Sequence, residues 1–108
     1  AGAQGYSKIP ADISKALYEK AEDTAVAVYK ALGCSGIARI DLLIDSKSKN
    51  LYFNEVNPLP GSLYAHNWRA AGVSGIQLVE DLVEYALQRY AEKRQLDTVF
   101  NTNFLQQF

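Results

Sequence analysis

Gly36-Ile37-Ala38-Arg39-Ile40-Asp41-Leu42-Leu43-Ile44 and Leu51-Tyr52-Phe53-Asn54-Glu55-Val56-Asn57-Pro58-Leu59-Pro60-Gly61 are two apolar-rich runs joined by the polar stretch Asp45-Ser46-Lys47-Ser48-Lys49-Asn50. The runs predict strands over roughly 36–44 and 51–56, folded into a hairpin by the polar turn. Side chains alternate along a strand, so Arg39 and Asp41 share one face, as do Glu55 and Asn57. A register with Asp41 opposite Glu55 sets Arg39 opposite Asn57. One patch then carries two carboxylates, a carboxamide and a guanidinium. Such oxygens are what a magnesium ion takes, usually together with phosphate oxygens. Ile40, Leu42, Ile44, Tyr52 and Val56 are expected on the other face, against helices.

Working outward, a helix is predicted from a cap at Asp12 or Ser14 to about Leu32. Leu17, Ala21, Ala25, Val28, Ala31 and Leu32 recur at helical spacing, and Gly33 stops it. Pro58 and Pro60 close the second strand, and Gly61 opens a loop to about Asn67. A short helical segment, Trp68–Ala71, ends at Gly72. Ser74 then caps a second long helix, Ile76 to about Ala91, whose Leu78, Val79, Leu82, Val83, Tyr85, Ala86 and Tyr90 form the expected core stripe. Residues 1–94 read as one domain and 95–108 as a tail suited to docking on a partner surface.

The 108 residues, with a hydrophobic fraction of 48%, allow one domain with a modest core. A net charge of −1 gives no electrostatic case for nucleic acid. No apolar run reaches the ~18 residues that would span a membrane, and the opening residues lack a signal-peptide layout. One cysteine, Cys34, and one histidine, His66, exclude an intrachain disulfide and argue against a Cys/His metal site. A reducing cytoplasm is the expected compartment.

The run Leu32-Gly33-Cys34-Ser35-Gly36-Ile37-Ala38-Arg39-Ile40-Asp41-Leu42-Leu43, then Phe53-Asn54-Glu55-Val56-Asn57-Pro58-Leu59-Pro60-Gly61, resembles D-alanine–D-alanine ligases of the ATP-grasp superfamily. Ile9-Pro10-Ala11 and Ala70-Ala71-Gly72-Val73-Ser74 agree with it, and the similarity covers roughly residues 7–91. It implies an α/β (α+β) fold, the ATP-grasp C-terminal subdomain, with an antiparallel hairpin packed with two long helices. It implies ATP and two Mg2+ ions (or Mn2+), with Asp41, Glu55 and Asn57 as metal ligands and Glu55 and Asn57 beside the nucleotide. Arg39 and Gly61 would border the acyl-transfer centre, and Ser62 and Leu63 would hold the acceptor's carboxylate. The implied reaction joins two D-alanines through an acyl phosphate for the peptidoglycan precursor, in a cytoplasmic homodimer.

Pro58 stands where such ligases commonly carry Thr, and the stretch after Gly61 is short. The acceptor therefore stays open among D-alanine, D-lactate, D-serine or another amino acid. The family's substrate-binding and ATP-gripping domains have no counterpart before Ser14, so the chain alone is expected to be inactive and to work with the rest of a parent enzyme. A non-catalytic metal-binding or dimerisation module is the reading from another class.

Plainer readings stand beside these. Asp41 and Glu55 have the alternative of strand-end acids, and Arg39 that of their ion-pair partner; the shared face and Asn57 favour the metal. His66 reads as a surface or packing residue and Cys34 as a small inert one. Tyr64 and Trp68 are expected to pack the loop onto the sheet, and Lys47 and Lys49 to be solvated. The stripe of the final helix reads as core, with Tyr85 or Tyr90 facing a second subunit as the lesser alternative.

Overall fold

The computed structural model describes residues 7–96. Ser14 caps the first helix by accepting a hydrogen bond from the Leu17 backbone N–H at 3.3 Å, and α1 runs Lys15–Ala31. Leu17, Ala21, Ala25 and Val28 are half-buried along one face, and α1 lies against the first strand. Ala31 and Leu32, expected on the same stripe, are exposed. Gly33 adopts φ +64°, which ends the helix in the left-handed region open to glycine.

The first strand starts later than the sequence pattern suggests. β1 is Arg39–Ile44, and β2 is Leu51–Asn57. Gly36, at φ +67°, breaks the extended run, and its carbonyl accepts a 2.8 Å hydrogen bond from the Tyr29 hydroxyl of α1. Burial, ahead of the neighbouring Cys34 and Tyr85, pushes that hydroxyl's pKa up, so it remains a donor.

The strands pair antiparallel with Arg39 opposite Asn57, Ile40 opposite Val56 and Asp41 opposite Glu55, as the hairpin reading requires. Beyond Asp41 the register shifts. Leu42 pairs with Phe53 and Leu43 with Tyr52, which leaves Asn54 as the extra residue of a β-bulge. The bulge corrects one expectation. Tyr52 joins the face of Arg39 and Asp41, while Phe53 and Leu51 take its place beside Ile40, Leu42 and Ile44.

After β2 a tight turn over Gly61–Tyr64 leads into α2, Ala65–Ala70, three residues earlier than expected. Gly72 at φ +91° ends α2. Ser74 then accepts from the Gln77 N–H at 3.1 Å and caps α3, which continues to Gln95. α3 packs on α2.

Among the described residues the core expected of α3 is largely absent. Leu78, 6% exposed, is the buried large hydrophobic among the described residues, and Leu82 is half-buried. Val79, Val83, Tyr85 and Tyr90 stand in the open. The sheet has two strands among the described residues, so each keeps an unpaired edge. The result is an α+β fold with an antiparallel hairpin against helices, much of whose apolar surface is covered by nothing among the described residues. Among the described residues no helix is long and apolar enough to cross a membrane. The tail beyond 96 lies outside the described residues; α3 itself takes up Gln95.

Candidate metal and acyl-transfer site

The period of two and the antiparallel register put Arg39 and Asp41 of β1 beside Glu55 and Asn57 of β2. Arg39 donates to both Asp41 oxygens, Nε to Oδ1 at 3.0 Å and Nη2 to Oδ2 at 3.2 Å. The same Nη2 donates to Glu55 Oε1 at 3.0 Å. Of the two roles foreseen for Arg39, the structure shows that of ion-pair partner to these acids.

The group sits at the surface rather than in the core, with Arg39, Asp41 and Glu55 side chains 31%, 37% and 56% exposed. The hydrogen bonds and negative charge of Asp41 push the Arg39 guanidinium above its already high range, against partial burial. It is a fixed positive charge at any physiological pH.

Asn57 Oδ1 accepts from the Leu59 N–H at 3.0 Å, which pins the carboxamide at the strand end. Gly61 begins the following turn. Its φ is not left-handed, and a Cβ built there would meet no atom within 4 Å, so nothing within the described residues requires glycine. The unusual backbone falls on the next three residues. Ser62, Leu63 and Tyr64 have φ of 51°, 51° and 53°, a left-handed run costly for side-chain-bearing residues.

That run brings Tyr64 to Arg39. The guanidinium carbon lies 5.5 Å from the ring centroid, and the His66 ring is 4.9 Å from the same ring, tilted by 42°. Tyr64 thus does pack the loop onto the sheet. A cavity of about 300 Å3 opens beside the pair, lined by Arg39, Ile40, Pro60, Tyr64, Asn67 and Trp68 among others. The Asn67 side-chain oxygen is buried without a hydrogen-bond partner among the described residues. Sequence reasoning did not single out Asn67, and a lone Asn in a short helix gives no signal that it should.

Among the described residues no three His, Cys, Asp or Glu side chains cluster as a metal site. Two carboxylates and one carboxamide on a single sheet face nevertheless fit Mg2+. That ion takes hard oxygen ligands, commonly one or two carboxylates, and fills its octahedron with water and phosphate oxygens.

The sequence model of the D-ala D-ala ligase C-terminus matches residues 1–84. The chain belongs to that family. It is 46% identical over 83 residues to D-alanine–D-alanine ligase B of Clostridium tetani, covering 73% of this chain and 23% of that protein. It is 44% identical over 85 residues to the D-alanine–D-alanine ligase of Clostridium acetobutylicum, covering 75% and 25%. Against the D-alanine–D-alanine ligase of Shouchella clausii it is 38% identical over 100 residues, covering 88% and 27%. The chain therefore spans about a quarter of the length of the curated relatives it matches.

Proposed function

We propose that this chain is the metal-holding and acyl-transfer portion of an ATP-dependent carboxylate–amine ligase. The parent enzyme joins D-alanine to D-alanine through an acyl phosphate, for the peptidoglycan precursor, in the cytoplasm and as a homodimer. The observation that carries the reading is the gathering of Asp41, Glu55, Asn57 and Arg39 on one sheet face. Family membership and the similarity to D-alanine–D-alanine ligases support it.

In this reading Asp41, Glu55 and Asn57 hold Mg2+ beside the nucleotide phosphates. The ion, when bound, offsets the charge that builds on the transferred phosphoryl group. Arg39 presents a permanent planar cation to the oxyanion of the tetrahedral centre formed when the acceptor amine attacks. The Gly61 backbone N–H is a second donor there, and its missing side chain leaves room for substrate. Ser62 and Leu63 hold the acceptor carboxylate, their left-handed backbone fixing where the turn's donors point. The remaining domains supply the first-substrate pocket and the grip on ATP, so the 108-residue chain alone does not turn over.

The test is ADP formation by the full-length protein with D-alanine, and with D-lactate or D-serine as alternative acceptors. Asp41→Asn and Glu55→Gln are each expected to lower kcat by about a hundredfold or more, the scale of losing one preorganised electrostatic group. Unchanged turnover in both variants would leave only a non-catalytic module. Faster turnover with another acceptor would keep the chemistry and replace the substrate.

A further inference from the structure

The proposed metal site and the hydrogen bonds around Arg39 make competing demands on the same oxygens. Asp41 Oδ1 and Oδ2 and Glu55 Oε1 accept from Arg39 at 3.0, 3.2 and 3.0 Å. They are also the oxygens a divalent cation would take. A guanidinium cannot shed its charge, so on these carboxylates it repels a dication brought to them. Building on the reading above, we infer that Arg39 is a displaceable stand-in for the metal. Tyr64 is the positioning residue that keeps the guanidinium at the site once the carboxylates release it.

The geometry separates the two holds on Arg39. Its Nε and Nη2 are spent on the carboxylates, while the Tyr64 ring centroid lies 5.5 Å from the guanidinium carbon, within the ~6 Å reach of a cation–π contact. A cation arriving at Asp41 and Glu55 removes the first hold and leaves the second. The freed N–H fork then faces the cavity that Arg39 and Tyr64 both line, instead of swinging into water. Tyr64 is itself fixed, by the left-handed turn it ends and by the His66 ring 4.9 Å away. A merely structural ion pair would have no such coupling between metal loading and the direction in which Arg39 points.

The experiment measures Mn2+ binding to the full-length protein by the loss of the free-ion paramagnetic resonance signal. Arg39→Gln removes the charge; Arg39→Lys keeps it but cannot span both carboxylates as a fork. The Mn2+ Kd is expected to fall about tenfold in the first and about threefold in the second. Wild-type affinity in Arg39→Lys would reduce Arg39 to a diffuse field and overturn the exchange. In Tyr64→Leu, Mn2+ affinity should stay within about twofold of wild type while kcat drops about tenfold at unchanged KM for ATP, with Tyr64→Phe restoring it. A Phe variant as slow as the Leu variant, or a loss confined to KM, would overturn the positioning role. Asp41→Asn separates metal binding from the exchange. If it leaves Mn2+ binding intact, the metal reading itself falls; if it abolishes binding while the Arg39 variants bind as wild type, only the exchange falls.

Discussion

Asn57 Oδ1 accepts a 3.0 Å hydrogen bond from the Leu59 backbone N–H, two residues on, so the proposed metal ligand also shapes the exit from β2. Such an Asx turn satisfies a backbone donor where the strand ladder ends. Structural and metal roles should therefore separate by substitution. Asn57→Asp keeps the acceptor for Leu59 and should melt within about 0.5 kcal/mol of wild type, whereas Asn57→Ala should lose about 1 kcal/mol. Both should lower ADP formation, since one adds a third negative charge to the site and the other deletes a ligand. An Asn57→Ala protein as active as wild type would remove Asn57 from the site.

The hairpin turn carries a predicted pH dependence. Asp45 Oδ1 accepts from the Ser48 N–H at 2.6 Å, the Ser48 hydroxyl at 2.9 Å and the Lys47 N–H at 2.9 Å. The Ser48 bonds, then that of Lys47, hold the Asp45 carboxyl below its usual range. A depressed folded pKa contributes stability that is present above the unfolded value, ~3.9, and lost as pH falls through the folded one. A carboxyl-detected NMR titration should find Asp45 below that value, with the Lys47 and Ser48 amides losing exchange protection along the same curve. Titration at or above ~3.9 would refute the assignment. Asp45→Asn should flatten the dependence.

Lys49 closes the same turn at φ +57°, with its N–H donating to the Asp45 carbonyl at 2.9 Å. A left-handed residue with a side chain costs roughly 1–2 kcal/mol, and glycine recovers this less about 0.4–1 kcal/mol of unfolded-state entropy. Lys49→Gly is thus expected to stabilise by about 0.5–1 kcal/mol in denaturant unfolding. A destabilised variant would mean that the lysine side chain makes a contribution larger than the backbone strain.

Local order proved readable from the sequence wherever one residue type dictated it. Ser14 and Ser74 sit at helix starts with hydroxyls able to accept from the first turn, and both cap as expected. Polar residues at positions 39 and 41, and at 55 and 57, fixed the register because a one-residue slip would scatter them over two faces. The bulge at Asn54 was not readable, since the extra residue disturbs neither the polar pair nor the apolar character of the run. The left-handed run at Ser62, Leu63 and Tyr64 was hidden too: no residue there favours that conformation, and Gly61 beside it does not adopt it. Helical spacing on α3 correctly marked an apolar face but could not say what covers it, because the covering atoms belong to no described residue of this chain.

That face yields the last prediction. Leu78 is buried and Val83, five residues on, is exposed, although both belong to the apolar stripe of α3. Within this chain Leu78→Ala should cost about 2–3 kcal/mol and Val83→Ala at most about 0.5 kcal/mol. If the remaining domains of the parent enzyme close over α3, both residues become core. Val83→Ala measured by denaturant unfolding of the full-length protein should then cost more than about 1 kcal/mol. A full-length protein indifferent to Val83→Ala but sensitive to Leu78→Ala would mean that water, not another domain, meets this face of α3. The expectation follows from area alone: a row of valine, leucine and tyrosine side chains left in water forgoes burial free energy of roughly 25 cal/mol per Å2.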